Sequence, residues 1–135
     1  MLKFLKRLFE RKEIPHIQGP GSFDQEVVGE FAYQKNLKRL CGGYKEKCNR
    51  LRVVAVLEYE DDNPHDNKAI KVAIDGNTVG YLSRDDAREY RKRIKKTGNE
   101  GITISCDAQI VCGKRISFLN KTNFGVWLDL PINEL

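Results

Sequence analysis

The sequence predicts a mainly β fold, a small curved antiparallel sheet or barrel of five or six strands with two inserted α-helices. Short stretches of alternating or β-branched apolar residues recur along the 135-residue chain, and turn signals separate them. Helical patterns interrupt this series but do not alternate regularly with the strands, which argues against a parallel sheet. A content of 40% hydrophobic and 32% charged residues is typical of a globular domain with one small core.

The first twelve residues, MLKFLKRLFERK, predict an amphipathic helix ahead of the domain. We expect it to pack on its own domain or on a protein partner, and contact with a membrane surface is the alternative. Residues 14–22 concentrate Pro and Gly and predict a linker. The chain is therefore divided into helix and linker, residues 1–22, and a domain, residues 23–135. The apolar face of the helix comprises Leu2, Leu5, Leu8 and Phe9.

Three elements are predicted in the first half of the domain. Residues 25–33, QEVVGEFAY, are a strand candidate in which Gly29 marks a bulge or a close backbone approach. The following residues, QKNLKRLC, allow one or two turns of helix, and Gly42-Gly43 ends it. Residues 51–59, LRVVAVLEY, are rich in β-branched side chains and predict a largely buried strand.

A hairpin and a longer helix are predicted next. In residues 68–82, Ile70, Val72 and Ile74 alternate on one arm of a hairpin, and Asp75-Gly76 supplies the positive φ values of its tight turn. Ser83 followed by Asp86 is a capping-box pattern, which predicts a helix over residues 84–96. Two last strands are predicted over residues 101–113 and 123–130.

Four cysteines, Cys41, Cys48, Cys106 and Cys112, are spaced C-x6-C and C-x5-C. These intervals are wider than the C-x2-4-C pairs that hold structural zinc. We therefore expect free thiols in a reducing cytoplasm, with no metal ion and no cofactor.

The formal charge of +5 lies in the first 96 residues, because residues 97–135 carry three basic side chains against four acidic ones. A basic half favours a polyanionic partner. Two basic runs, in residues 35–52 and 84–96, occur together with interleaved tyrosines, which is typical of a groove that follows a nucleic-acid backbone. The predicted phosphate contacts from these runs are Lys35, Lys38, Arg39, Arg84, Arg88 and Arg91.

Two segments together resemble a known family. VVGEFAYQKNLKRL and NPHDNKAIKVAIDGNTVGYLSRDDAREY are similar, in order and spacing, to the V-V-G strand, the N-P-x-D-x-x-A-[IV]-x-V turn and strand, and the V-G-[YH]-L strand of the HIRAN domain. The resemblance covers roughly residues 25–115. It implies an OB-like β-barrel that binds DNA, and in the fork-remodelling helicase-like proteins that carry it the domain captures the 3′ end of a single strand.

The resemblance also implies site residues. The N-P-x-D turn brings His65 and Asp66 to the end-binding pocket, and the V-G-[YH]-L motif adds Tyr81. The segment after V-V-G supplies Phe31 and Tyr33 as stacking or wall residues. Aromatic rings stack on bases of any sequence, so these residues suit a single strand.

Asp66 has two interpretations. A free 3′-hydroxyl donates a hydrogen bond to an ionised carboxylate, whereas a 3′-phosphate meets it as like charge, so Asp66 would distinguish a free end from a blocked one. Alternatively, Asn63-Pro64 starts a turn, and an Asp shortly after it commonly bonds backbone amides to hold that turn. The two roles are compatible, and the sequence leaves both open.

The preferred function is a DNA-binding module that recognises single-stranded or frayed DNA near a free 3′ end, in repair or replication. A protein-interaction adaptor that recruits a DNA-processing partner through the N-terminal helix is the alternative. A metal-dependent nuclease ranks third, because the chain has only His16 and His65 and no catalytic motif. We therefore expect no enzyme activity and no small-molecule substrate, and a location in the cytoplasm or with DNA in a nucleoid or nucleus.

Overall fold

The computed structural model describes residues 14–46 and 49–131, and strands dominate them as the sequence predicts. No helix in this part of the chain is long and apolar enough to cross a bilayer. In chain order the elements are β1 (His16–Ile17), β2 (Gln25–Glu26), a 3₁₀ helix (Glu30–Tyr33), α1 (Gln34–Cys41), β3 (Arg50–Glu60), β4 (Ala69–Ile74), β5 (Asn77–Tyr81), α2 (Arg84–Lys96), β6 (Ile104–Val111) and β7 (Gly125–Leu128).

The strands form one curled sheet with β3 at its centre. β3 pairs antiparallel with β4 through residues 56–60 and with β6 through residues 50–57. The full order is β2-β7-β6-β3-β4-β5, with antiparallel neighbours throughout. β1 joins β6 in parallel, which is an exception to the predicted antiparallel pairing. This mainly β, curled architecture is consistent with an OB-like fold.

One backbone bridge joins the two ends of the curled sheet. Val28, just after β2, exchanges hydrogen bonds of 2.7 and 2.8 Å with Tyr81 at the end of β5. Gly80 permits this approach, because a Cβ atom there would lie 2.5 Å from a methyl carbon of Val27 and 2.7 Å from the Val28 carbonyl oxygen. The glycine of the V-G-Y-L motif is therefore required by the close approach of two strands.

The two α-helices cover the core that the curled sheet encloses. α2 buries Ala87, Tyr90 and Ile94, the face that its sequence pattern predicts. α1 buries Leu37 and Cys41 and ends at Gly42, whose φ of 75° is the left-handed conformation that glycine adopts readily.

Local signals in the hairpin and the long helix are confirmed. Asp75 and Gly76 have φ values of 49° and 75°, as the tight turn requires. The Ser83 hydroxyl accepts a hydrogen bond from the Asp86 amide at 3.1 Å, and α2 spans residues 84–96 as predicted. β3, β6 and β7 lie within or close to their predicted stretches, with somewhat different ends.

The predicted strand over residues 25–33 is wrong in its second half. Only Gln25–Glu26 form strand β2, Val28 adds one bridge, and the chain then enters the 3₁₀ helix. Gly29 has a φ of 71°, a left-handed conformation that takes the chain out of the extended path. The stretch therefore contains two structures joined at a glycine.

The segment predicted as a linker is attached to the sheet. β1 lies within it, and the Pro15 carbonyl accepts a hydrogen bond of 2.9 Å from the Ser105 amide. The buried Asp129 carboxylate accepts from the amide of Gly21 at 2.9 Å and of Phe23 at 3.3 Å. The predicted N-terminal helix, residues 1–12, lies outside the described residues.

Candidate nucleic-acid interface

Tyr81 and Tyr33 form an aromatic wall where β5 ends beside the 3₁₀ helix. The Tyr81 hydroxyl donates a hydrogen bond of 2.9 Å to Glu60 Oε1. Burial, and then the nearby Glu60 carboxylate, raise the pKa of Tyr81 well above its usual value, and the Tyr33 hydroxyl adds to this effect. Tyr81 is therefore neutral and fixed in orientation at physiological pH.

The turn after β3 connects this wall to Asp66. Glu60 Oε1 also accepts a hydrogen bond of 2.6 Å from the Asn63 side-chain amide. Asn63 Oδ1 in turn accepts from the backbone amides of His65 at 2.8 Å and Asp66 at 3.1 Å. These hydrogen bonds hold the turn in one conformation and set the backbone position of Asp66.

Asp66 holds the turn, as one of its two interpretations predicts. Its carboxylate is 12% exposed, and Oδ1 accepts a hydrogen bond of 3.0 Å from the Lys68 amide. Its carbonyl oxygen accepts from the Ala69 amide at 3.1 Å, where β4 begins. The Lys68 amide, followed by Arg88 and Arg84, lowers the pKa of the carboxyl group, although its partial burial opposes them.

Two arginines at the start of α2 face the Asp66 carboxylate. Arg88 Nη2 lies 3.5 Å from Oδ1, and Arg84 Nε lies 3.9 Å from Oδ2. Arg84 also donates a hydrogen bond of 2.6 Å to the carbonyl of His65. Both side chains are exposed, so their guanidinium groups are accessible from solvent while they neutralise Asp66. We call the seven residues of this connected set the turn cluster: Tyr33, Glu60, Asn63, Asp66, Tyr81, Arg84 and Arg88.

Arg91 occupies a different environment although it lies one turn further along α2. Its three guanidinium nitrogens donate to the Lys68 carbonyl at 2.7 Å, the Ala69 carbonyl at 2.9 Å and Asp61 Oδ1 at 2.8 Å. The guanidinium carbon also lies 4.6 Å from the centre of the Tyr59 ring. With 15% of its side chain exposed, Arg91 ties α2 to the start of β4. Its predicted contact with phosphate stays a prediction.

Phe31 and His65 are the exposed rings near these elements. Phe31 is 76% exposed on the 3₁₀ helix, two residues before Tyr33. His65 is exposed on the turn, with its backbone held by Asn63 and Arg84. Both rings are accessible to a ligand, and the Phe31 ring is large enough to stack on a base.

The predicted phosphate contacts on α1 follow Tyr33, the turn-cluster residue that caps this helix, and they extend from there along the helix. The Asn36 side chain of α1 donates a hydrogen bond of 2.9 Å to the carbonyl of Thr78, near the start of β5. Tyr81 ends the same strand, roughly 10 Å further along at the usual rise of a strand. The exposed side chains of α1 line a shallow depression together with the glycines that follow the helix; its lining comprises Lys35, Lys38, Arg39, Gly42 and Gly43.

The structure brings two further basic residues to α1 that the sequence analysis did not select. Arg115 Cζ and Lys121 Nζ lie 5.8 and 4.7 Å from the centre of the Tyr44 ring, and Lys38 Nζ lies 5.1 Å from it. Tyr44 itself packs on Phe124, with ring centres 5.2 Å apart. In the sequence, the adjacent pair Lys114-Arg115 was the only sign of a basic cluster here. Because the pair is far from α1 along the chain, the sequence did not show that they lie together.

The described residues contain no group of three or more His, Cys, Asp or Glu side chains arranged to hold a metal ion. Cys41, Cys106 and Cys112 are buried free thiols, and Cys48 lies outside the described residues. Burial raises the pKa of Cys41 and of Cys106 to about 12, which keeps both thiols protonated and poorly nucleophilic.

Comparison of the chain with protein-family models, curated proteins and solved structures gives no match. The similarity to the HIRAN domain therefore stays a prediction from the two segments that carry it.

Proposed function

We propose that this protein is a DNA-binding module of the HIRAN type, with an OB-like barrel, that holds a single strand by its free 3′ end at the turn cluster. The observation that supports the proposal most is the unequal use of the two Asp66 oxygens. Oδ1 accepts from the Lys68 amide, whereas among the described residues Oδ2 has no hydrogen-bond partner and lies 3.9 Å from Arg84 Nε, beyond hydrogen-bond distance. Oδ2 is therefore free to accept a hydrogen bond from a ligand hydroxyl.

The surrounding charges suit a strand end. The lowered pKa keeps Asp66 ionised at neutral pH, so a 3′-hydroxyl donates to Oδ2 in a charge-assisted hydrogen bond. The exposed guanidinium groups of Arg84 and Arg88 would contact the last internucleotide phosphate. A phosphate in place of the terminal hydroxyl would meet the Asp66 carboxylate, which disfavours blocked or continuous strands.

Aromatic residues would hold the terminal nucleotide. The exposed Phe31 ring would stack on a base, and Tyr81, held by Glu60, would form an aromatic wall together with Tyr33. Recognition of a free 3′ end suits a role in DNA repair or replication, in the cytoplasm or wherever the DNA is held. Such recognition needs neither a metal ion nor catalysis.

The test is fluorescence anisotropy with one labelled single-stranded DNA that ends in a 3′-hydroxyl or a 3′-phosphate. We expect the wild type to bind the hydroxyl end about tenfold more tightly, the usual effect of one hydrogen bond to a charged group. Asp66→Asn should remove this preference, because the amide retains the acceptor for Lys68 but loses the charge. Equal affinity of the wild type for both ends would contradict end recognition.

Asp62→Asn is the matched control, since Asp62 is an exposed carboxylate of the same turn. This variant should keep the preference for the hydroxyl end. Thermal unfolding of each variant shows whether the fold is retained. Absence of binding by a folded wild type to either DNA would favour the protein-interaction adaptor instead.

A further inference from the structure

We propose that a second surface, centred on Tyr44, binds the internal phosphates and bases of a single-stranded nucleic acid. We call it the Tyr44 platform, and it consists of Lys38, Tyr44, Arg115 and Lys121. It shares none of its residues with the turn cluster, so it goes beyond end recognition and does not depend on it.

The platform is assembled from three separate parts of the chain. Lys38 belongs to α1, Tyr44 follows that helix, and Arg115 and Lys121 lie between β6 and β7. Backbone hydrogen bonds of 2.8 Å link the Lys45 amide to the Gly113 carbonyl and the Arg115 amide to the Lys45 carbonyl. The Tyr44 ring rests on Phe124, which is buried. The position of the ring and of its cations is therefore set by tertiary structure.

The charges of the platform lack carboxylate partners. Three cationic groups lie within 6 Å of one ring centre, and among the described residues none of them forms an ion pair. The ring face attracts each cation, but it does not neutralise their mutual repulsion. A chain of phosphates would neutralise it and release the counterions that the cations hold. Lys35, Lys45 and Lys114 extend the same basic surface along α1 and the neighbouring bridge.

An exposed ring beside the platform favours a single-stranded nucleic acid over other polyanions. Arg115 and Lys121 are bridged antiparallel, and the Ile116 amide donates to the Asn120 carbonyl at 2.9 Å, which closes a short loop. Phe118, at the tip of that loop, is 88% exposed. Unstacked bases present faces on which such a ring can stack, whereas a duplex, heparin or polyphosphate does not. Phosphate contacts from Arg115 and Lys121 and a stacking contact from Phe118 would thus come from one short loop.

The first test uses a single-stranded DNA with a 3′-phosphate, so that end recognition does not contribute. The variant Lys38→Gln, Arg115→Gln, Lys121→Gln should bind this DNA about tenfold more weakly at moderate salt. Its plot of log affinity against log salt should be shallower by about 2, since each phosphate contact on a single strand contributes about 0.7. An unchanged affinity would overturn the proposal.

The matched control removes the same charge from exposed lysines of α2: Lys92→Gln, Lys95→Gln, Lys96→Gln. This variant should bind within about twofold of the wild type. An equal loss of affinity in the two triple variants would mean that net charge alone drives binding, and it would also overturn the proposal.

A third variant, Phe118→Ser, tests the contact with bases. We expect a loss of roughly fivefold or more for single-stranded DNA, within the usual range for one stacked base, and no change for polyphosphate. Equal effects on both ligands would reduce the platform to a general polyanion surface and contradict its assignment to nucleic acid.

The two proposals can fail independently of each other. Platform variants should preserve the ratio of hydroxyl-end to phosphate-end affinity, whereas Asp66→Asn should abolish that preference.

Discussion

The basic face of α2 and the Tyr44 platform contain the same residue types but use their charges differently. On α2, Arg84 and Arg88 face Asp66, and Arg91 is paired with Asp61. On the platform, each cation lies over the Tyr44 ring. The formal charge of a segment is therefore a poor guide to the charge it offers a ligand, because packing decides how much is neutralised inside the protein.

The acidic turn after β3 explains the difference. Its carboxylates lie beside α2, and they act as counterions for the arginines of that helix. Lys71 of β4 is neutralised in the same way, with its Nζ 3.2 Å from Glu58 and 3.9 Å from Glu60. An acidic run next to a basic helix in the sequence is here a structural arrangement that holds β3, β4 and α2 together.

The largest expected effect is on stability, from Arg91→Ala. The substitution removes the guanidinium donor to the Lys68 and Ala69 carbonyls and the contact with Tyr59. We expect a loss of about 2–4 kcal/mol in the free energy of unfolding, measured by urea denaturation. Lys92→Ala, at the exposed neighbouring position, should change it by less than about 0.5 kcal/mol. A stable Arg91→Ala protein with weakened DNA binding would contradict the comparison between α2 and the Tyr44 platform. Arg91 would then act as a ligand-binding cation, like those of the platform.

The second expected effect is a difference in melting temperature between variants that remove ion-paired cations and variants that remove cations of the platform. Arg84→Gln with Arg88→Gln leaves the partly buried Asp66 carboxylate without its cations, so the melting temperature should fall by a few degrees. Lys38→Gln with Lys121→Gln leaves no carboxylate behind and should lower it less. Equal shifts in calorimetric melting of the two double variants would show that pairing on α2 has no energetic weight.

The third effect is a pH dependence. The pKa of Asp66 lies below its ordinary value of 3.8, so its ionised form stabilises the folded state above that value. This contribution is lost as the pH falls below about 4 and through the folded-state pKa. Asp66→Asn should therefore lose stability less steeply than the wild type in urea titrations between about pH 5 and pH 2. Asp62→Asn should lose stability with falling pH as the wild type does. If stability falls equally steeply in all three proteins, the ionised Asp66 carboxylate does not stabilise the fold.

The smallest expected effect is a difference in stability between substitutions of two adjacent acidic residues of the turn, Asp61 and Asp62. Asp61→Asn weakens an exposed pair with Arg91 and should cost about 0.5 kcal/mol at low salt, with the difference decreasing as salt is added. Asp62→Asn should leave the unfolding free energy unchanged. A cost that is independent of salt would indicate that Asp61 acts through hydrogen-bond geometry rather than charge.

Local elements were predictable because their signals lie within a few residues. Asp75-Gly76 specifies a turn that needs two positive φ values, and Ser83 caps the helix that follows. The turn-holding role of Asp66 was one of two interpretations that the sequence left open, and its hydrogen bond from the Lys68 amide bears it out. The structure of residues 25–33 was not predictable, because a stretch that contains Val, Phe and Tyr is compatible with a strand and does not show that Gly29 turns the chain into a 3₁₀ helix.

By itself, the sequence determined the mainly β class, the hairpin, both α-helices and the turn that holds Asp66, because each rests on interactions between neighbours in the chain. Only the tertiary structure decided which groups Arg91, Arg115 and Lys121 contact. Arg91 meets Asp61 from 30 positions away, and Arg115 and Lys121 meet Tyr44 from more than 70 positions away. Electrostatic partners are chosen by distance in space, and the order of strands around the curled sheet sets that distance.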